Sequence, residues 1–138
     1  MGAHYNFKCT CCDYSFSTSG PWEFYRNAKG KRKPFGHPVP VSKEAAQRGI
    51  YGLSADLYCP QCDRIFDVIL VEFKRPSSES LAVWLGKCEP KEEYQQANAV
   101  NCPACKSTDL ILEPSDERTL TCPRCRKGKI TGIMDRIS

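Results

Sequence analysis

The sequence predicts a small metal-stabilised α+β protein, built as two modules of short antiparallel strands joined by a helical linker. Three observations lead there. Ten cysteines fall in a chain of 138 residues, and eight of them form four C-x-x-C pairs. The hydrophobic share of 41% counts those cysteines, so the aliphatic core is thinner than it first looks. The run "IFDVILVEF" (65–73) is rich in β-branched and aromatic residues, which suits a central strand. Two units of roughly 60 residues each sit near the size at which a core alone is marginal, and staples make up the difference.

The first element is the N-terminus, "MGAHYNFKC", which has no basic region leading into an apolar run. Asn6 stands where a myristoylation signal needs Ser or Thr. The longest aliphatic run, Val68 to Val71, is far too short to cross a bilayer, and no N-x-Ser/Thr sequon occurs. A cytosolic protein with no membrane contact is the expectation. Structural disulfides are rare in that compartment, so ten cysteines call for a metal.

The pairs are Cys9/Cys12, Cys59/Cys62, Cys102/Cys105 and Cys122/Cys125, leaving Cys11 and Cys88 over. Four dithiol pairs make two four-cysteine sites, the stoichiometry of two tetrahedral zinc ions. The tight turn of a C-x-x-C aims two thiolates at one ion, and "CPQC", "CPAC" and "CPRC" carry a proline that presets φ for it. The two C-terminal pairs lie 16 residues apart, within the usual range for one zinc site. The two N-terminal pairs lie 46 residues apart but share an internal repeat. "CTCCDYSF" and "CPQCDRIF" both read C-x-x-C-D-x-x-F, while "CPACK" and "CPRCR" match each other. The repeat therefore assigns Cys9, Cys12, Cys59 and Cys62 to one site and Cys102, Cys105, Cys122 and Cys125 to the other. A first site that uses Cys11 in place of a neighbour is the alternative.

These knuckles resemble those of the zinc ribbon and rubredoxin-like families. The resemblance covers about a third of the chain and implies paired knuckles around one ion. The chain departs from the rubredoxin pattern after each knuckle, where Asp13, Asp63, Lys106 and Arg126 replace glycine at a position that often has positive φ. A rubredoxin-like use of the first site would hold iron and carry electrons.

The remaining elements follow in order. Short strands are expected at 4–8, 55–58, 65–73, 110–113 and 120–121. "VSKEAAQRG" offers Ser42 as an N-cap and Gly49 as a stop for a short helix. "SSESLAVWL" and "EPKEEYQQANAV" read as helices, with Leu81, Trp84 and Leu85 on one apolar face. The resulting division is a first module over 1–76 with an insertion at 13–58, a helical linker over 77–100 and a second ribbon over 101–138.

Function is less legible. Trp22, Phe24 and Tyr25 lie beside Lys29, Lys31, Arg32 and Lys33, the mixture used to stack and neutralise single-stranded nucleic acid. Arg124, Arg126, Lys127 and Lys129 add charge at the last knuckle. The competing reading is a solvated hairpin tip around 27–30 with the aromatics in the core. Charge favours the latter: eight thiolates and two dications together add −4, cancelling the formal +4. Enzymatic chemistry has little support, since two full four-cysteine sets leave a zinc no open position. The two histidines, His4 and His37, offer few acid–base candidates, and no small-molecule substrate is expected. Cys88, near Lys87, reads as an ordinary free thiol. A protein-interaction scaffold is the leading expectation, with a nucleic-acid partner as the alternative.

Overall fold

The computed structural model describes residues 2–36, 40–72, 100–115 and 119–137. Strand β1 (Ala3–Cys9) buries Tyr5, Phe7 and Cys9 and leaves Lys8 exposed, the alternation of a strand with one face on a core. Its partners run antiparallel on both sides. With β2 (Ser15–Arg26) the register runs from Ala3↔Gly20 to Lys8↔Ser15. With β7 (Lys129–Ile137) it runs from Cys9↔Ile130 to Ala3↔Ile137, shifting between His4 and Tyr5. The two-residue β6 (Leu120–Thr121) pairs with Lys129 and Ile130 of β7. With β4 (Gly52–Cys59) and β5 (Arg64–Glu72) added, the strand order is β5-β4-β2-β1-β7-β6. Strand β3 (Arg32–Pro34) pairs with the end of β2.

The chain divides into two compact units. One unit, called the metal unit for the eight paired cysteines that it carries, is Gly2–Gly20, Asp56–Asp67 and Asn101–Ser138; the other holds Pro21–Ala55 and Val68–Val100. Strands β2, β4 and β5 each run from one unit into the other. One break falls at the expected boundary, between Val100 and Asn101, and the metal unit also draws in Gly2–Gly20 and Asp56–Asp67 from the first half of the sequence.

Aromatic stacking organises the metal unit. Phe7 and Phe16 are directly opposed across β1 and β2, with ring centroids 4.8 Å apart, and Phe16 stacks on Tyr58 of β4 at 3.9 Å. Such cross-strand pairs stabilise a sheet beyond the area they bury. The same cluster includes Ile111, Ile130, Cys9 and Cys122, with Cys12 and Cys125 packed against it, so four of the paired cysteines are part of the core.

The second unit packs Phe24, Leu53 and Val71 almost wholly out of solvent. Helix α1 (Lys43–Arg48) forms where its caps predict: Ser42 Oγ accepts from the Ala45 N–H at 3.0 Å, and Gly49 (φ 82°) donates to the Ala45 carbonyl. Arg26 Nε donates to Glu72 Oε2 at 2.5 Å and Nη2 to Oε1 at 3.1 Å, a fork pairing that satisfies a largely buried carboxylate.

Three expectations change. Residues 110–113 form a single bridge, Tyr58↔Ile111, in place of a strand. The segment "SFSTSGPWEFYR" is a twelve-residue strand although its Ser, Gly and Pro content reads as loop. The fold of the described residues is strand-dominated with one short helix; the expected helical linker at 77–100 lies outside them except for residue 100, which is not helical.

Candidate metal centres

Each knuckle is a turn between strands or beside one. Cys9 to Cys12 joins β1 to β2, Cys59 to Cys62 joins β4 to β5, and Cys122 to Cys125 joins β6 to β7. Cys102 to Cys105 precedes the Ile111 bridge. In three of the four knuckles the next residue has positive φ: Asp63 (50°), Lys106 (66°) and Arg126 (62°). These are three of the positions where the rubredoxin pattern has glycine. The left-handed turn is kept without it, and the Lys106 and Arg126 N–H groups donate back to the Cys102 and Cys122 carbonyls at 3.0 Å. Asp13 does not share that conformation.

The cysteines assemble into two groups of four. The outer centre, in chain order, is Cys9, Cys12, Cys122 and Cys125; the inner centre is Cys59, Cys62, Cys102 and Cys105. The eight expected ligands are the eight that converge, but the partition differs from the sequence expectation. Pairs one and four join, and pairs two and three join. Each centre combines one C-x-x-C-D-x-x-F knuckle with one C-P-x-C knuckle followed by a base. The internal repeat thus relates one centre to the other and not the two halves of a single site. Cys11 is exposed and belongs to neither group.

The geometry fits a tetrahedral ion. An ion about 2.3 Å from four sulfurs requires sulfur–sulfur edges of about 3.8 Å. The observed edges are 3.6 Å for Cys9–Cys125, 3.7 Å for Cys12–Cys122, 3.6 Å for Cys59–Cys105 and 3.8 Å for Cys62–Cys102. Those distances exclude disulfides, whose sulfurs lie about 2.05 Å apart, and all nine described cysteines are free.

Backbone donors prepare the thiolates. The Gly128 N–H points at Cys125 Sγ at 3.3 Å, and with Lys127 it holds that thiol down to about 6. Burial works to raise Cys102, but the N–H groups of Cys105 and Ala104 bring it down to about 6. Opposite them, Cys12 is pushed up to about 12: donation from the Tyr14 backbone opposes this, while burial and the neighbouring thiols drive it. Burial and the other three thiols push Cys62 to about 12 as well. Four thiols this close cannot all ionise unless a cation sits among them. A bound dication removes that conflict.

Gly128 admits no side chain, since a Cβ there would lie 2.4 Å from Cys9 Sγ. A further feature escaped the sequence reading. Tyr14 and Tyr58 both donate to Asp63 Oδ1, Tyr58 at 2.8 Å. Burial, then the Asp63 hydrogen bond, raises both phenols, Tyr14 to about 12. The repeat flagged Asp63; nothing local flagged its partners.

The expected nucleic-acid residues separate. Tyr25 is 6% exposed and Phe24 1%, so neither ring face is offered to a base, and this corrects the expectation for Tyr25. Trp22 is half-buried. Arg32 lies 5.7 Å from the Phe24 centroid, while Lys29, Lys31 and Lys33 are exposed around a turn in which Asn27 Oδ1 accepts from the Lys29 and Lys31 N–H groups. His4 lies in β1; His37 and Cys88 lie outside the described residues. No helix among the described residues is long and apolar enough to cross a membrane. No protein-family model matches the chain, and no curated protein or solved structure matches it.

Proposed function

We propose that this protein is a non-enzymatic tandem zinc-binding scaffold whose two ions hold a rigid β-sheet surface for a protein partner. The observation that carries this reading is that each centre gathers four thiols within 4.8 Å of one another, with two pairs at the 3.6–3.8 Å of a tetrahedral edge. A zinc ion so held has no open position for water or substrate, which is the arrangement of structural sites. When bound, the metal supplies cross-links between strands distant in sequence, and the chain's own residues supply the surface.

Metal content tests it first. Purified protein should carry two zinc ions and be colourless; visible thiolate-to-iron absorption would favour electron transfer, because tetrahedral sulfur suits iron too. Affinity capture by metal-loaded and metal-stripped protein, with nuclease present, then tests the partner class. Partners retained only by the loaded form, and insensitive to nuclease, support the scaffold.

A nucleic-acid partner is the second reading, favoured by the exposed Arg124, Arg126, Lys127 and Lys129 of the last knuckle. Submicromolar single-strand binding that survives about 150 mM salt, where exposed charges are screened beyond roughly 8 Å, would put it first.

A further inference from the structure

Asp63 follows the inner centre's Cys62, yet its carboxylate holds a tyrosine from each side of the metal unit. Tyr58 immediately precedes Cys59 of the inner centre. Tyr14 closes the outer knuckle, where its carbonyl accepts from the Cys9 N–H at 2.9 Å. Both hydroxyls end on the same oxygen, Asp63 Oδ1. The contact is reinforced rather than isolated: Phe16 stacks on Tyr58 at 3.9 Å and lies 6.0 Å from Tyr14, and Tyr58 exchanges backbone hydrogen bonds with Ile111, on the chain that leaves the inner Cys102–Cys105 knuckle. One oxygen thus accepts a hydrogen bond from the tyrosine beside each knuckle.

We infer that Asp63 is a positioning residue that couples the two metal centres, so that filling one orders the ligands of the other and the ions load cooperatively. This rests on the proposed zinc-binding reading. Its physical basis is shared ordering. The first ion fixes the Asp63–Tyr14–Tyr58 bridge and the stacked rings, and the second ion binds ligands whose conformational freedom is already reduced. Coupling is reciprocal, so whichever centre fills first favours the other equally.

Native mass spectrometry of the full chain during zinc titration reads the coupling as the share of one-zinc species. Two identical independent sites put about half of the protein in that species at half-saturation; couplings of about 5- to 150-fold lower it to roughly 30% or below 10%. Asp63→Gly removes the carboxylate while suiting the positive φ, and Tyr14→Phe removes one arm of the bridge; each should raise the one-zinc share. Asp63→Asn, which keeps an acceptor oxygen at Oδ1, should restore much of the coupling. An unchanged one-zinc share in both Asp63→Gly and Tyr14→Phe, with two ions still bound at saturation, would overturn the coupling alone. A capacity below two ions in the unmodified chain would overturn the zinc-binding reading and the coupling with it.

Discussion

Replacing Cys9 and Cys122 together with serine takes two ligands from the outer centre and none from the inner one. Replacing Cys9 and Cys59 together takes one from each. The first variant should therefore keep one zinc and the second none, although both lose two cysteines. A rearranged site built from Cys102, Cys105, Cys122 and Cys125 could rescue the second variant only by pulling β7 away from β1. That would break the seven-pair register from Ala3 to Cys9, which at about 0.5–1.5 kcal/mol per hydrogen bond amounts to roughly 4–10 kcal/mol. Loop entropy offers little in return. The nested pairing spans separations of 40 and 110 residues, against intervening stretches of 16 and 46 for pairing in sequence order. Closure entropy grows as the logarithm of loop length, and the difference comes to about 1.5 kcal/mol. Elemental analysis after gel filtration, with native mass spectrometry for stoichiometry, reads the result. Zinc kept by Cys9→Ser/Cys59→Ser and lost by Cys9→Ser/Cys122→Ser would refute the nested arrangement.

Gly128→Ala should release the outer ion and leave the inner one, since its Cβ meets Cys9 Sγ and the Cys11 backbone; metal content and Co2+ absorption measure this. Cys11→Ser should retain both ions, and loss of either would return Cys11 to the ligand set. Glu72→Gln should destabilise the unit around Phe24 by roughly 1–3 kcal/mol in urea melts, the lower end reflecting Arg26's 30% side-chain exposure. Burial, then the Glu113 charge and its hydrogen bond, hold the Tyr5 phenol above its ordinary 10.0. Its stabilisation is thus complete below pH 10 and falls as pH rises past it; Tyr5→Phe should flatten that alkaline loss of stability.

Some of this architecture is written locally and is readable as such. The ligand identities follow from C-x-x-C, because a tight turn and two thiolates need only four residues. Helix α1 follows from Ser42 and Gly49, whose capping bonds reach no further than three or four positions. Strand β5 follows from its β-branched content. Even the left-handed residue after three knuckles was anticipated by where glycine stands in the rubredoxin pattern.

The pairing of knuckles was not local. The repeat correctly found two like knuckles, but likeness cannot say whether they face each other or occupy corresponding places in two centres. Nor could spacing decide, since a contact across 110 residues costs little more entropy than one across 46. The choice was made by the antiparallel ladder of β1 on β7 and by Phe16 lying between Phe7 and Tyr58. Strand β2 was hidden for the same reason: its Ser, Gly and Pro residues favour turns, and only pairing with β1 and β3 holds them extended. By itself the sequence determined which atoms can bind metal, because that chemistry lies within single turns. Only the tertiary structure decided which of them come together, because that depends on strand pairing between the chain's two ends.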